Sequence, residues 1–240
     1  MMLNGENQIN MNKQEVNFFW SGDGFTFIHK CTILSHLRVG HTPIIWLYGD
    51  TPKSKYWDLP KEVIIKNAND VFDISNFMKN GGGIKPASSL WRWYFLYECG
   101  GLYCDTDAFA YRKFDDSEWI IASGEKEDGL ISTGVIKVPP KQEMFKYCID
   151  NIKPKWGNVR IFTDAFKKYH GEVKYSHDNK LFYPFSWKEF KVLIEDDKEM
   201  NNPFSVHLYH TMLENNLSTN EDIVKKYPKS LITRLFKGLV

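Results

Sequence analysis

Cysteine is scarce in this 240-residue chain, and none of it is arranged for metal or disulfide-exchange work. Cys31, Cys99, Cys104 and Cys148 form no CxxC pair and no Cys/His cluster at zinc spacing. Four buried free thiols are expected rather than disulfides. An excess of charge of one sign is missing too. Lys and Arg number 31 against 30 Asp and Glu, so no global field draws in nucleic acid or a membrane, and an acidic ligand must be caught locally. No apolar run reaches the roughly 18 residues of a membrane-spanning helix. The opening "MMLNGENQINMNKQE" is largely polar and holds no apolar signal core, so the expected location is the cytoplasm. Internal repeats and low-complexity segments are absent as well.

What remains is an ordinary globular mixture, 42% hydrophobic and 25% charged, rich in aromatics that serve both core packing and stacking on sugars or bases. A flexible N-terminus over residues 1–14 and a single domain over 15–240 are expected. "EVNFFW" (15–20) reads as a buried strand, "FTFIHKCTILSHLRV" (25–39) as a helix ending at Gly40, and "PIIWLYGD" (43–50) as a second strand, which makes a βαβ unit. "EVIIK" (62–66) reads as a third strand. After "GGG" (81–83) a strong helix begins near Pro86 and runs to Gly100-Gly101. "GLISTGVIKV" (129–138) reads as strand, "QEMFKYCIDNI" as helix and "FSVHLYH" as a late strand. Ser218 to Glu221 has the spacing of a helix-capping box. The last stretch puts Leu231, Ile232, Leu235, Phe236 and Leu239 on one face. With Lys229, Arg234 and Lys237 beside it, that face either packs on its own domain or docks on a membrane. The pattern predicts an α/β domain with a mostly parallel sheet and a decorated C-terminal third.

The chemistry concentrates in "GGLYCDTDAF" (100–109). Sixteen aspartates in 240 residues give about one D-x-D by chance, so the pair needs its context. In a strand, residues two apart share a side, which would aim Asp105 and Asp107 together and Thr106 away. Carboxylates held that close repel unless a cation lies between them. Oxygen ligands without clustered cysteine suit Mg2+ or Mn2+. The competing reading is a pair of solvated aspartates at a surface turn. A phosphotransferase D-x-D-x-T is disfavoured, because Phe109 occupies the threonine position. In the preceding helix, Ser88, Ser89 and Arg92 lie near an N-terminus that favours anions, so they either contact a phosphate or sugar hydroxyl or serve as cap and surface ion pair. Leu90, Trp93, Tyr94 and Tyr97 form an apolar stripe.

The stretch "KPASSLWRWYFLYECGGLYCDTDAFAYRKFDD" (85–116) resembles the sugar-binding region of DXD-containing glycosyltransferases of the family 32 type, in which an A-S-D-x-x-R helix leads through Y-x-x-G-G to a Y-x-D-T-D strand. "NFFWSG", "GVIKVPPKQEMFKYC", "VHLYH" and "KYPKSLITRLF" extend the likeness over most of residues 15–237. The resemblance implies a GT-A (Rossmann-like) fold and a metal-dependent transfer of sugar, with retention, from a nucleotide-sugar, usually UDP-linked, to a glycan or other acceptor. It implies that Trp20 stacks on the base and Arg92 holds the donor. Asp105 would contact ribose or sugar, and Asp107 would bind Mn2+ or Mg2+ on the diphosphate. His207 would approach the same metal from the late strand, and Ser88, Ser89 and Tyr103 would border the nucleotide-sugar. Three positions depart from the family pattern: Ser89 replaces its Asp, Thr133-Gly134 its Asn-Gly, and Tyr209 its late Trp. These changes raise the alternative of a non-catalytic nucleotide-sugar or glycan-binding module.

Overall fold

The computed structural model describes residues 14–122, 129–154, 158–170, 176–196 and 198–239. The expected flexible N-terminus lies, Gln14 apart, outside them. Strand β1 (Glu15–Ser21) turns Val16 and Phe18 to one side of a sheet and Phe19 to the other, all buried. A strand buried on both faces reads as a continuous apolar run, which is why "VNFFW" shows no alternation. Helix α1 (Phe27–Arg38) follows from an extended Thr26 and ends before Gly40, whose φ of +87° continues no helix. Then come β2 (Thr42–Tyr48) and the edge strand β3 (Ile64–Asn67), whose residues are exposed. A short helix α2 (Ser75–Lys79) precedes α3 (Ile84–Glu98). Pro86 sits in the first turn of α3, where its missing N–H costs nothing, so the helix starts two residues before it. Gly100 and Gly101 stop α3 at φ values of +64° and +86° and release β4 (Gly101–Cys104).

The rest of the chain comprises β5 (Ala108–Ala110), β6 (Ile120–Ala122), β7 (Val135–Val138), α4 (Glu143–Asn151), α5 (Asn158–His170), β8 (Ser176–His177), β9 (Ser205–His207), α6 (His210–Asn216), α7 (Asp222–Lys226) and α8 (Leu231–Phe236). Strands β1 to β4 and β6 to β8 form a seven-stranded sheet in the order β3-β2-β1-β4-β7-β6-β8. Its first four strands are parallel, β7 runs antiparallel to β4 and β6, and β8 is parallel to β6. The chain moves outward from β1 through β2 to β3, then returns to place β4 on the other side of β1. This reversal leaves a crevice at the carboxyl ends of β1 and β4, the usual place for a ligand in such sheets.

Helices α3, α4 and α5 cover one face with Trp91, Trp93, Phe95, Phe145, Phe162 and Phe166, and α1 helps cover the other with Ile33. Several expectations change here. Helix α3 is buried on most sides, through Leu90, Trp91, Arg92, Trp93, Phe95 and Leu96, and Tyr94 stacks instead on Phe72 at 3.5 Å. The strand expected over 129–138 is confined to β7. The Ser218–Glu221 box caps nothing: α7 begins at Asp222, and Glu221 is held by Lys55 and Tyr56. All four cysteines are free, but Cys99 is exposed. The tail face Leu231, Ile232, Leu235 and Phe236 is buried against Phe27, Ile28, Phe109 and Val206. Among the described residues no helix is long and apolar enough to cross a membrane.

Candidate active site

Asp105 and Asp107 do not lie on a strand. Chain β4 ends at Cys104 and β5 starts at Ala108, with a turn between them closed by the Ala108 N–H donating to the Asp105 carbonyl at 2.9 Å. The Asp105 N–H donates to the Gly134 carbonyl at 2.7 Å, which ties the turn to the chain entering β7. The turn, rather than a period of two, brings the carboxylates together. Strand β5 then pairs antiparallel with β9, Ala108 opposite His207. That register delivers the imidazole: Asp105, Asp107 and His207 each offer a ligand atom within 4.8 Å of the others, with His207 Nε2 3.4 Å from Asp107 Oδ1. Gly134 forms a wall of this cluster. A Cβ there would stand 3.1 Å from both Asp105 Oδ2 and His207 Nε2, so only glycine leaves the space open.

The electrostatics are divided between the two carboxylates. Burial pushes the Asp105 carboxyl up and the neighbouring Asp107 adds to this, while the Arg92 guanidinium pulls the other way. Burial also acts on Asp107, but His207 and the His210 N–H, which donates to Oδ2 at 2.9 Å, together hold its carboxyl below the usual range. Arg92 is 5% exposed and is ion-paired with Asp105. Its Nη1 donates to the Thr133 carbonyl at 2.7 Å, and the guanidinium lies 4.5 Å over the Tyr103 ring. The Tyr103 hydroxyl donates to Asp105 at 3.3 Å. A carboxylate fixed by a buried arginine and a phenol has little freedom to rotate away from its neighbour.

Two cavities share Asp105 as a wall. The first, about 340 Å³, is bordered by Trp20, His29, Lys85, Ser88, Tyr103 and both aspartates. Trp20 is locked by its Nε1–H donating to the Gly22 carbonyl at 2.8 Å, and its ring lies 4.6 Å from that of His29. His29 in turn stacks on His210 at 4.1 Å, and Thr26 bridges the two. The second cavity, about 300 Å³, is bordered by Asp105, Gly134, Asn179, Tyr183, Trp187 and His207. Of the residues singled out by sequence, Asp105, Asp107, His207, Trp20, Ser88 and Tyr103 come together here. Arg92 stands behind Asp105 and, like Ser89, borders neither cavity. The Ser88 and Ser89 hydroxyls both donate to the Lys85 carbonyl, at 2.8 and 3.3 Å.

Sequence reasoning missed His29, Lys85, His210, Tyr183 and Trp187. No local signal marks the histidines. His210 is placed by Tyr209, which adopts φ +49° between β9 and α6. A left-handed aromatic residue is uncommon and costs about 1 kcal/mol or more. The bend lets the Tyr209 hydroxyl donate to the Phe185 carbonyl at 2.5 Å and aims the His210 N–H at Asp107.

The fold is of the GT-A type, and it resembles that of the PaToxG glycosyltransferase with a TM-score of 0.51 at 13% identity, over 95% of this chain and 86% of that one. A fainter likeness, TM-score 0.46 at 10% identity, links 94% of this chain to 53% of the WbbM bifunctional glycosyltransferase. Residues 47–124, which contain α3, β4 and the aspartate turn, match the family described as glycosyltransferase sugar-binding region containing DXD motif. That stretch of the chain carries the sugar-binding region of DXD-containing glycosyltransferases.

Proposed function

We propose that the chain moves a sugar from a nucleotide-sugar, UDP-linked, to a glycan or other hydroxyl acceptor with retention, using a divalent cation held by Asp105, Asp107 and His207. The reading rests on one observation: these three donors converge at the carboxyl ends of β1 and β4, where a cavity bearing Trp20 and Lys85 opens. The donor set fits a cation. Two carboxylates this close repel one another, and oxygen ligands with a single imidazole suit Mn2+ or Mg2+. Gly134 supplies the room. When bound, the cation offsets charge growing on the departing diphosphate.

The protein's own groups supply the rest. Trp20 presents an apolar ring at the cavity wall for a base, and Lys85 and Ser88 offer donors to phosphate or ribose oxygens. Arg92 is a positioning residue that holds the Asp105 carboxylate in one orientation. As the bond from the anomeric carbon to the diphosphate oxygen breaks, positive character develops on the sugar. Asp105, which borders both cavities and is fixed by Arg92, is a carboxylate available to that charge. The four free thiols favour a reducing, cytoplasmic setting.

The test is UDP release from a panel of UDP-sugars with Mn2+. Wild-type protein is expected to release UDP, and Asp107→Ala to lose about 10²-fold or more; an Asp107→Ala protein as active as wild type would sink the proposal. One observation favours a second reading, a module that binds nucleotide-sugar without turnover: the family's helix carboxylate is here Ser89, turned back onto the Lys85 carbonyl. Calorimetry showing saturable binding with no UDP release would select it.

A further inference from the structure

The two cavities that meet at Asp105 differ in chemistry. The one with Trp20 carries Lys85, a cation for phosphate oxygens. Among the described residues the other has no lysine or arginine in its wall and so offers an anion no charge partner. It offers instead aromatic rings with polar tips, Tyr183, Trp187 and Tyr209, surfaces that take the apolar face of a sugar ring. One polar atom there is also unsatisfied. The Asn179 Oδ1 is buried with no hydrogen-bond partner among the described residues, whereas the Tyr183 oxygen faces the Val135 N–H. Buried polar atoms are nearly always paired, because leaving one unpaired is costly. A ligand dense in hydroxyls would satisfy the amide oxygen by donating to it and could accept the phenol O–H of Tyr183.

Exposure orders the cavity from end to end. The His207 and Asp105 side chains are 15% and 27% exposed, whereas Trp187, on a 3-10 helix over Trp187–Ile194, is 48% exposed. The inner end thus adjoins the carboxylates and the outer end opens to solvent with an indole on its rim.

We propose that this second cavity is the acceptor subsite, that the acceptor is a carbohydrate, and that its terminal ring stacks on Trp187 with hydroxyls paired to Asn179 and Tyr183. The assignment rests on the glycosyl-transfer reading above. In the reaction an acceptor hydroxyl oxygen bonds to the anomeric carbon while the bond to the diphosphate oxygen breaks. The bonding pair leaves with the diphosphate, and the hydroxyl proton passes to it or to solvent. Trp187 therefore selects the acceptor and does not touch the nucleotide.

Two measurements test this on the full chain. Saturation-transfer NMR with Mn2+ and UDP present is run against the methyl glycosides of glucose, galactose, mannose and N-acetylglucosamine. At least one is expected to give signal with wild type, and that signal to fall about tenfold in Trp187→Ala and to return in Trp187→Phe. No signal from any glycoside, or equal signal in wild type and Trp187→Ala, overturns the proposal. In steady-state transfer to the responding glycoside, Trp187→Ala is expected to raise the acceptor KM about tenfold while the UDP-sugar KM moves less than about twofold. A UDP-sugar KM that rises as much as the acceptor KM assigns the cavity to the donor sugar and also overturns it. Tyr183→Phe, which keeps the ring, is expected to raise the acceptor KM alone and guards against misfolding of the tryptophan variant. Failure of the underlying reading looks different, since wild type would then release no UDP from any UDP-sugar.

Discussion

Helix α1 carries His29 and His36, seven residues apart and so on one face, and uses them in opposite ways. His36 belongs to a closed relay. Its Nε2–H donates to the Ala108 carbonyl at 3.0 Å, which fixes its Nδ1 as an acceptor; His41 Nδ1–H donates to it at 3.0 Å, and His41 Nε2 accepts the Phe114 N–H at 3.2 Å. Every nitrogen is used and both rings are neutral. Burial lowers His36 to about 3, and burial with Lys113 nearby lowers His41 to about 4. His29 accepts the Thr26 N–H at 3.0 Å but stacks on His210 at the wall of a cavity. One pair holds β5 from behind, next to Asp107, and the other faces what binds in front of it. Residue type alone does not separate structure from function; what separates them is whether a ligand can reach the ring.

The comparison can be broken first with acid. A histidine whose folded pKa is depressed contributes stability that is complete above about 6.5 and drains away as pH falls toward the folded value. Between pH 7 and pH 5 the closed relay should lose roughly 2 kcal/mol for each of its two histidines. His29, lowered to about 3 by burial and by His210, adds a similar loss in the same window, so the relay's share of the falling urea midpoint is read from the His36 variant. Replacing His36 by Ala strands the Ala108 carbonyl and a buried nitrogen of His41, and should cost about 3 kcal/mol at pH 7.5 while shallowing the acid slope. An unchanged slope would refute the relay. His29→Ala should instead cost less stability and weaken UDP binding about tenfold by calorimetry. Smallest is Gly134→Ala, whose methyl crowds Asp105 and His207, two of the three proposed cation ligands: Mn2+ affinity should fall severalfold with a urea midpoint near that of wild type.

Much of the architecture was legible because local signals agreed. The βαβ start, the Gly-Gly stop and the D-T-D context each follow from turn chemistry and apolar periodicity, and they locate the site. The geometry within it was not legible. Asp105 and Asp107 read as strand residues because an apolar run leads into them. The bond from the Asp105 N–H to the Gly134 carbonyl that ends the strand comes from far along the chain. Helix α1 showed one apolar stripe, yet Thr32, Ser35 and His36 are buried as well. The C-terminal third packs over a side that periodicity treats as solvent. Arg92 read as a surface or ligand-binding cation because its partner, Asp105, lies across a turn.

Strand β9 joins the sheet of two strands only through β5, and with it comes the imidazole that completes the cluster. Every other strand near the aspartates precedes it by more than sixty residues. The cluster of Asp105, Asp107 and His207 is thus completed late in the chain: a nascent or truncated chain that stops short of residue 207 can own both aspartates, Arg92 and the whole parallel half, and still present only two of the three donors.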